Sequence, residues 1–200
     1  MGRELEAFPR PSVAVDTAVL TIGPASGLAV LLLAGDPPRL PGTFLHEGEL
    51  LSEAVLRSLR EKAGIRGLAP RQLHVFDAID RDDRGRVLSV AHVDVVPAES
   101  LPPSARLAAV DDLPAMAFDH DRIVAFAVEA LRSQYREEPD PAGLLRRPFT
   151  LRELRGAHES VLGRRLLPDT FRRSMLPHLE ATGETERAGR GRPAELYRRP

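Results

Sequence analysis

Two hundred residues with 42% hydrophobic side chains can form one large domain or two modest ones, and the absence of cysteine excludes disulfides, thiolate metal sites and cysteine nucleophiles. The longest apolar run, Leu28 to Ala34, is too short to span a bilayer, and the opening MGRELEAFPRPS lacks the apolar stretch of a secretory signal, so the cytoplasm is the expected compartment. The net charge of −1 hides an asymmetry: from Phe149 onward eleven Arg stand against seven acids, a balance of +4, leaving −5 on the preceding 148 residues.

Residues 13–22 alternate, with Val13, Val15, Thr17, Val19 and Thr21 on one side, the signature of a half-buried strand. GPASG turns the chain into LAVLLLA, which reads as a fully buried strand. A helix is predicted over 51–63, stopped by Gly64, with Leu51, Val55, Leu59 and Ala63 as its apolar stripe. QLHVFDAI and VLSVAHVDVV follow as strands joined by DRDDRGR. Asp80, Asp82 and Gly85 imitate the early positions of a calcium loop. Arg84 takes a ligand position, however, and Ala91 stands where the bidentate Glu belongs, so a solvated hairpin is expected. A second helix over 121–134 turns Ile123, Ala127, Ala130 and Leu131 inward, with Asp119 or Asp121 as its cap. REEPDPAGLLRRP (136–148), proline-punctuated and aperiodic, is the expected linker between a domain at 12–135 and a second at 149–200. So small a second unit needs support from the first domain or from a dimer partner.

The stretch LPGTFLHEGELLSEAVLRSLREKAGI resembles the Nudix box, G-x5-E-x7-R-E-U-x-E-E-x-G-U with U aliphatic. Glu49, Arg57, Leu59, Glu61, Gly64 and Ile65 match it. The resemblance implies an α+β fold: a Nudix α/β/α sandwich with a mixed sheet, here followed by a small winged helix-turn-helix domain. It also implies, in active relatives, three helix carboxylates that hold magnesium against a pyrophosphate. Thr43 replaces the leading Gly, Ser58 one Glu and Lys62 another. Positions 58, 61 and 62 share a helix face, so that face offers one carboxylate, one hydroxyl and one ammonium where magnesium wants oxygen ligands. An ammonium roughly 4 Å away repels a cation by about 4 kcal/mol per unit charge at an effective dielectric of 20. No catalytic or metal-binding residue is therefore assigned and no cofactor is expected. Lys62 is read instead as either a direct pyrophosphate contact or a surface lysine. Glu49, Glu61 and Lys62 are candidate effector-binding residues, joined by Arg86 at the start of a strand, which reads first as a solvated hairpin arginine, and by His120 in AFDHD, whose default role is structural. His92 is a further candidate: with Leu88, Val90 and Asp94 it lies either on a cleft or on the solvent face of an edge strand, the latter being the expectation.

From Phe149 the chain has the grammar of a winged helix. Thr150 caps a helix carrying Leu151, Leu154, Val161 and Leu162, with Ala157 and His158 near the same face. Gly163 ends it, GRRLL turns, and Pro168 opens a second helix at its N1 position. Phe171, Met175 and Leu176 bury that helix, Pro177 ends it, and Thr170, Arg172, Arg173 and Ser174 face outward, suited to the major groove. Arg164 and Arg165 in the turn join them as candidate DNA contacts. ETERAGRGRPAELYRR reads as a wing whose tip arginines, Arg190 and Arg192, reach phosphate or the minor groove.

The segments FTLRELRGAHESVLG, DTFRRSML, GRPAELYR and AFDHDRIVAFAVEALR, in this order, resemble the Nudix-related transcriptional regulator (NrtR) family over nearly the whole chain. That resemblance implies a homodimeric repressor of NAD-biosynthesis or related genes. Its partner would be a palindromic double-stranded operator, and ADP-ribose or a related nucleotide would release it. Leu167 departs from the family pattern where an acidic cap is common, and Asp169 lies near the DNA-facing end, so the operator sequence stays open, as does the effector. Two other readings remain: a Nudix hydrolase of ADP-ribose-like compounds with divergent metal ligands, and an adaptor whose basic tail touches no DNA.

Overall fold

The computed structural model describes residues 7–23, 25, 27–146, 148–187 and 193–200. Its spine is β1 (Ser12–Ile22), which pairs in parallel with β5 (Val87–Val95) from Ser12↔Val87 to Leu20↔Val95. The other edge of β1 is shared by two short antiparallel strands, β3 (Gly42–Phe44) opposite Ala14 to Asp16 and β2 (Leu28–Leu32) opposite Leu20 to Ile22. With β4 (Arg71–Phe76) outside β5 and β6 (Arg106–Ala109) outside β2, the mixed sheet runs β4-β5-β1-β2-β6.

Two helices cover the sheet. On one face α1 (Leu51–Ala63) sets Ala54, Val55 and Leu59 against Val15, Val19 and Leu31. On the other, α2 (His120–Glu137) sets Ile123, Val124, Ala127 and Leu131 against Ala18, Leu20, Val30 and Val93. The expected α/β/α sandwich is present. Because both faces are covered, β1 is buried on both sides, not half-buried as its alternation suggested: Val15 and Val19 enter the α1-side core and Ala18 and Leu20 the α2-side core. The strand bearing His92 is likewise interior, because β4 takes the edge. DRDDRGR is the hairpin loop between β4 and β5 and most of it is exposed, as expected, but Arg81 and Asp82 within it turn inward and are buried. Asp119 occupies the N-cap position of α2 without a side-chain capping bond, because its carboxylate is engaged by Arg81. The helix itself runs three residues past the predicted Gln134. Strands β3 and β6 escaped the sequence reading because they are too short to show a period.

The second unit contains β7 (Phe149–Thr150), α3 (Leu151–Leu162), α4 (Pro168–Met175), β8 (Glu180–Glu186) and β9 (Ala194–Arg198), the strands in order β7-β9-β8. Thr150 and Glu153 form a capping box at the start of α3: each backbone N–H is taken by the other's side chain, at 2.7 and 3.2 Å. Gly163 closes the helix in the left-handed conformation, φ 66°. Phe149, Leu154, Phe171, Met175 and Tyr197 form its small core. β8 begins at Glu180, earlier than the wing read from ETERAGRGRPAELYRR, and the tip with Arg190 and Arg192 lies outside the described residues.

This unit leans on the first. Val161 belongs to the α2-side core, and Arg132 of α2 donates to the Val161 carbonyl at 2.9 Å. Within the expected linker, the chain is organised around fully buried Asp140. Its carboxylate accepts from the Tyr135 hydroxyl at 2.7 Å and from the N–H groups of Leu144 and Leu145 at 2.8 and 3.1 Å. Its own N–H donates to His158 Nε2 at 3.1 Å, and Arg199 donates to its carbonyl. A carboxylate is buried here because every polar atom of Asp140 finds a partner within reach.

Candidate functional site

The cleft of the first unit opens where β3 leaves β1. A cavity of about 240 Å³ is bordered there by Asp16, Arg39, Gly42, Thr43, Phe44, Lys62, Arg81, Asp82, Arg84, Phe118 and His120. Gly42 is required by the geometry: a Cβ at this position would lie 1.9 Å from Asp16 Oδ1, so only glycine lets β3 pass over that carboxylate. Asp16 accepts from the Ser89 hydroxyl at 2.6 Å and faces His120 Nε2 at 3.3 Å and Arg81 at 3.6 Å. His120 Nδ1 accepts the Leu40 N–H at 3.0 Å, which leaves the ring proton on Nε2, toward Asp16. Burial alone would raise the Asp16 carboxyl, but the His120 and Ser89 bonds and the Arg81 charge together hold it below its ordinary range. Arg81 closes the network with a two-pronged grip on Asp119, at 3.2 and 2.7 Å.

Four cationic side chains border this cavity (Arg39, Lys62, Arg81 and Arg84) against two carboxylates, Asp16 and Asp82. The excess is positive. Asp82 itself is lowered to about 2, chiefly by its paired bonds from Arg84 at 2.8 and 2.7 Å. The lining therefore suits an anion, and the carboxylates serve to hold the arginines in place.

The box helix places its residues differently from one another. Glu49 is locked by Arg57, whose guanidinium donates to it at 2.7 and 2.8 Å while also reaching Thr43 and the Phe44 carbonyl. Arg57, with the His46 N–H, lowers the Glu49 carboxyl to about 2. Ser58 points into the core, 1% exposed, with its hydroxyl unpartnered. Glu61 sits on the surface beside Arg60, and Lys62 reaches back to the Gly42 carbonyl at the cleft rim. A divalent metal does not fit these residues: one carboxylate is neutralised by an arginine, the hydroxyl faces away, and an ammonium occupies the rim. Among the described residues no three His, Asp or Glu side chains gather as a metal cluster.

Of the six effector candidates, Lys62 and His120 border the cleft. Glu49 lies in a neighbouring surface depression, and Arg86 ties the loop by donating to the carbonyls of Asp77 and Ala78. His92 is buried in the sheet with Nδ1 at 2.9 Å from the Val90 carbonyl, and burial lowers its pKa. Asp16, Arg39, Arg81, Phe44 and Phe118 were not singled out from the sequence. Only the clustering of Arg and Asp in DRDDRGR hinted at them, and it read as solvent-loving.

On the second unit Thr170, Arg172, Arg173 and Ser174 all lie exposed along α4, with Arg164 and Arg165 exposed in the turn before it. Arg172 and Arg173 have no carboxylate partner among the described residues, whereas Arg165 lies 3.5 Å from Glu159. Phe171 and Met175 anchor the opposite side of the helix. The result is a short helix with a dry back and a cationic, hydroxyl-bearing front.

The family described as the NrtR DNA-binding winged helix domain matches residues 141–199. Over almost the whole chain the fold superposes on the crystal structure of Shewanella oneidensis NrtR complexed with a 27mer DNA, with a TM-score of 0.77, 30% identity and coverage of 94% of this chain and 93% of that one. The NUDIX domain of the same protein complexed with ADP ribose matches 64% of this chain and 94% of its own length, with 27% identity and a TM-score of 0.55. An ADP-ribose pyrophosphatase of Methanocaldococcus jannaschii is 36% identical over 90 residues, 42% of this chain, and the match spans only about half (53%) of that enzyme.

Proposed function

The chain belongs to the NrtR family, and on that premise we propose that it is a DNA-binding transcriptional regulator whose Nudix domain senses ADP-ribose or a related nucleotide without hydrolysing it. The observation that carries this reading is the chemistry of the cleft: an anion-attracting lining whose Arg39 and Lys62 have no carboxylate partner among the described residues, beside a box helix whose Glu49 is already neutralised by Arg57. Such a site binds phosphate groups and lacks the carboxylate set that would activate water through a metal.

Output runs along α2. Its first residue, His120, faces the cleft, and the residue before it, Asp119, grips Arg81. Near its other end Tyr135 packs its ring 4.8 Å from His158, which in turn meets Phe171 of the reading helix edge-on at 5.0 Å. A nucleotide that shifts Arg81 or His120 thus acts on a rigid rod of five turns that ends against His158 of α3, the residue backing α4. By linkage, DNA then weakens nucleotide binding by the same factor as nucleotide weakens DNA binding. A homodimer reading a palindromic operator, as a repressor of NAD-related genes, completes the proposal. Two copies are needed to present two α4 helices about one helical turn apart.

The pyrophosphatase similarity favours a second reading, a hydrolase with divergent ligands. One pair of measurements separates them: a mobility shift on DNA upstream of the chain's own locus, with and without ADP-ribose, and phosphate-product release with magnesium or manganese. Retarded DNA that ADP-ribose releases, with negligible turnover, supports the regulator; brisk metal-dependent cleavage without DNA binding establishes the hydrolase.

A further inference from the structure

The cleft has an aromatic component beside its charges. Phe44 on β3 and Phe118 in the turn before α2 are 38% and 45% exposed. Phe118 holds φ at 56°, a left-handed conformation that a bulky aromatic residue adopts only at a cost. That backbone presents its ring to the same cavity that Phe44 borders. One group already contacts both rings: Arg84 Cζ lies 5.3 Å from the Phe44 centroid and 5.4 Å from that of Phe118, within cation–π range of each. Asp82 steadies the guanidinium, and the Arg84 side chain is 60% exposed, so it can leave without opening the core.

We propose that Phe44 and Phe118 form a clamp for a planar nucleobase, and that Arg84 is its built-in occupant, displaced when the nucleotide binds. The inference rests on the reading of this cleft as a nucleotide sensor and adds which surface takes the base. A guanidinium and a base are both flat, polarisable groups that aromatic faces accept, so one substitutes for the other. The phosphates of the same ligand find Arg39 and Lys62 on the rim. Arg84 leaves a clamp that a stacked base then fills, and Asp82 keeps the charge of Arg81 nearby. Affinity is thereby set below what the clamp alone would give, because the ligand must first displace a tethered competitor.

The test uses the full chain in metal-free buffer with ADP-ribose, followed by calorimetry, and with its etheno-adenine analogue, whose emission is quenched by stacking. The chain has no tryptophan to interfere. Phe118→Leu is expected to weaken ADP-ribose roughly tenfold and to abolish the quench; Phe44→Leu repeats the test from the opposite side should one variant fold poorly. Arg84→Ala is expected to bind ADP-ribose several-fold more tightly and to keep the quench. Weaker binding by Arg84→Ala overturns the proposal, because Arg84 is then a ligand contact, and so does undiminished quenching in both phenylalanine variants. Wild-type protein that binds no ADP-ribose overturns ADP-ribose as the sensed ligand, and this inference with it.

Discussion

The arginines of the two units live in different worlds. Arg81 is almost wholly buried, held by Asp119 at 2.7 Å and close to Asp16, and Arg57 is locked onto Glu49. Arg172 and Arg173, by contrast, stand in water with no carboxylate partner among the described residues. Charge that is buried and paired fixes geometry, as recognition of one small molecule requires. Charge that is exposed and unpaired is free to exchange counterions for phosphates, as a long polyanion requires. One residue type thus builds a receptor in one half and a reader in the other, and burial decides which.

The contrast can be broken most forcefully at Arg81. Arg81→Met leaves Asp16 and Asp119 as buried carboxylates without their cation, at a cost of about 3–5 kcal/mol. Thermal unfolding should show the loss; an unchanged melting temperature would place Arg81 among ordinary surface charges. Second in size is a pH effect at the seam. Burial lowers His158 to about 4, against a weak pull upward from the Tyr135 backbone and the Asp140 charge. An ordinary histidine titrates near 6.5, so its folded-state pKa is depressed and its contribution to stability is complete above that value. It fades as pH falls from about 6.5 through 4, a loss on the order of 3 kcal/mol, and is spent below that. Melting curves across this window should slope, and His158→Gln should flatten the slope.

The reader half is sharpened by Arg172→Ala with Arg173→Ala. Operator affinity is expected to fall roughly 100-fold, with a shallower salt dependence and no change in melting temperature. Retained binding in a mobility shift would move the DNA surface away from α4. The smallest effect belongs to Lys62, which is exposed and already bonded to the Gly42 carbonyl. Lys62→Glu should weaken ADP-ribose about tenfold in metal-free calorimetry, since it reverses one charge on the rim. Equal affinity would make Lys62 a helix-surface residue.

Much of this was legible in the chain itself. The four-residue spacing of Leu51, Val55 and Leu59, the cap at Thr150, the stop at Gly163 and the start at Pro168 are all local instructions, and α1, α3 and α4 follow them. The departures at Ser58 and Lys62 were equally plain. The cleft was not. Asp16 meets Ser89 across 73 positions and Arg81 meets Asp119 across 38, and neither pair leaves a local signature. Arg81 and Asp82 in DRDDRGR look as solvated as their neighbours because a sequence shows each cost of burial and not the partner that offsets it.

The sequence by itself determined the helices and their ends, the division into an acidic and a basic part, and the substitutions on the box helix, because each depends on neighbours within a turn or on simple composition. Only the tertiary structure decided that β1 is covered on both faces, that Asp140 is buried and fully bonded between the two units, and that Gly42 passes over Asp16 at the mouth of a positive cleft. These depend on contacts between distant segments. Their energies come from exclusion of water and pairing of charge, which no local pattern records.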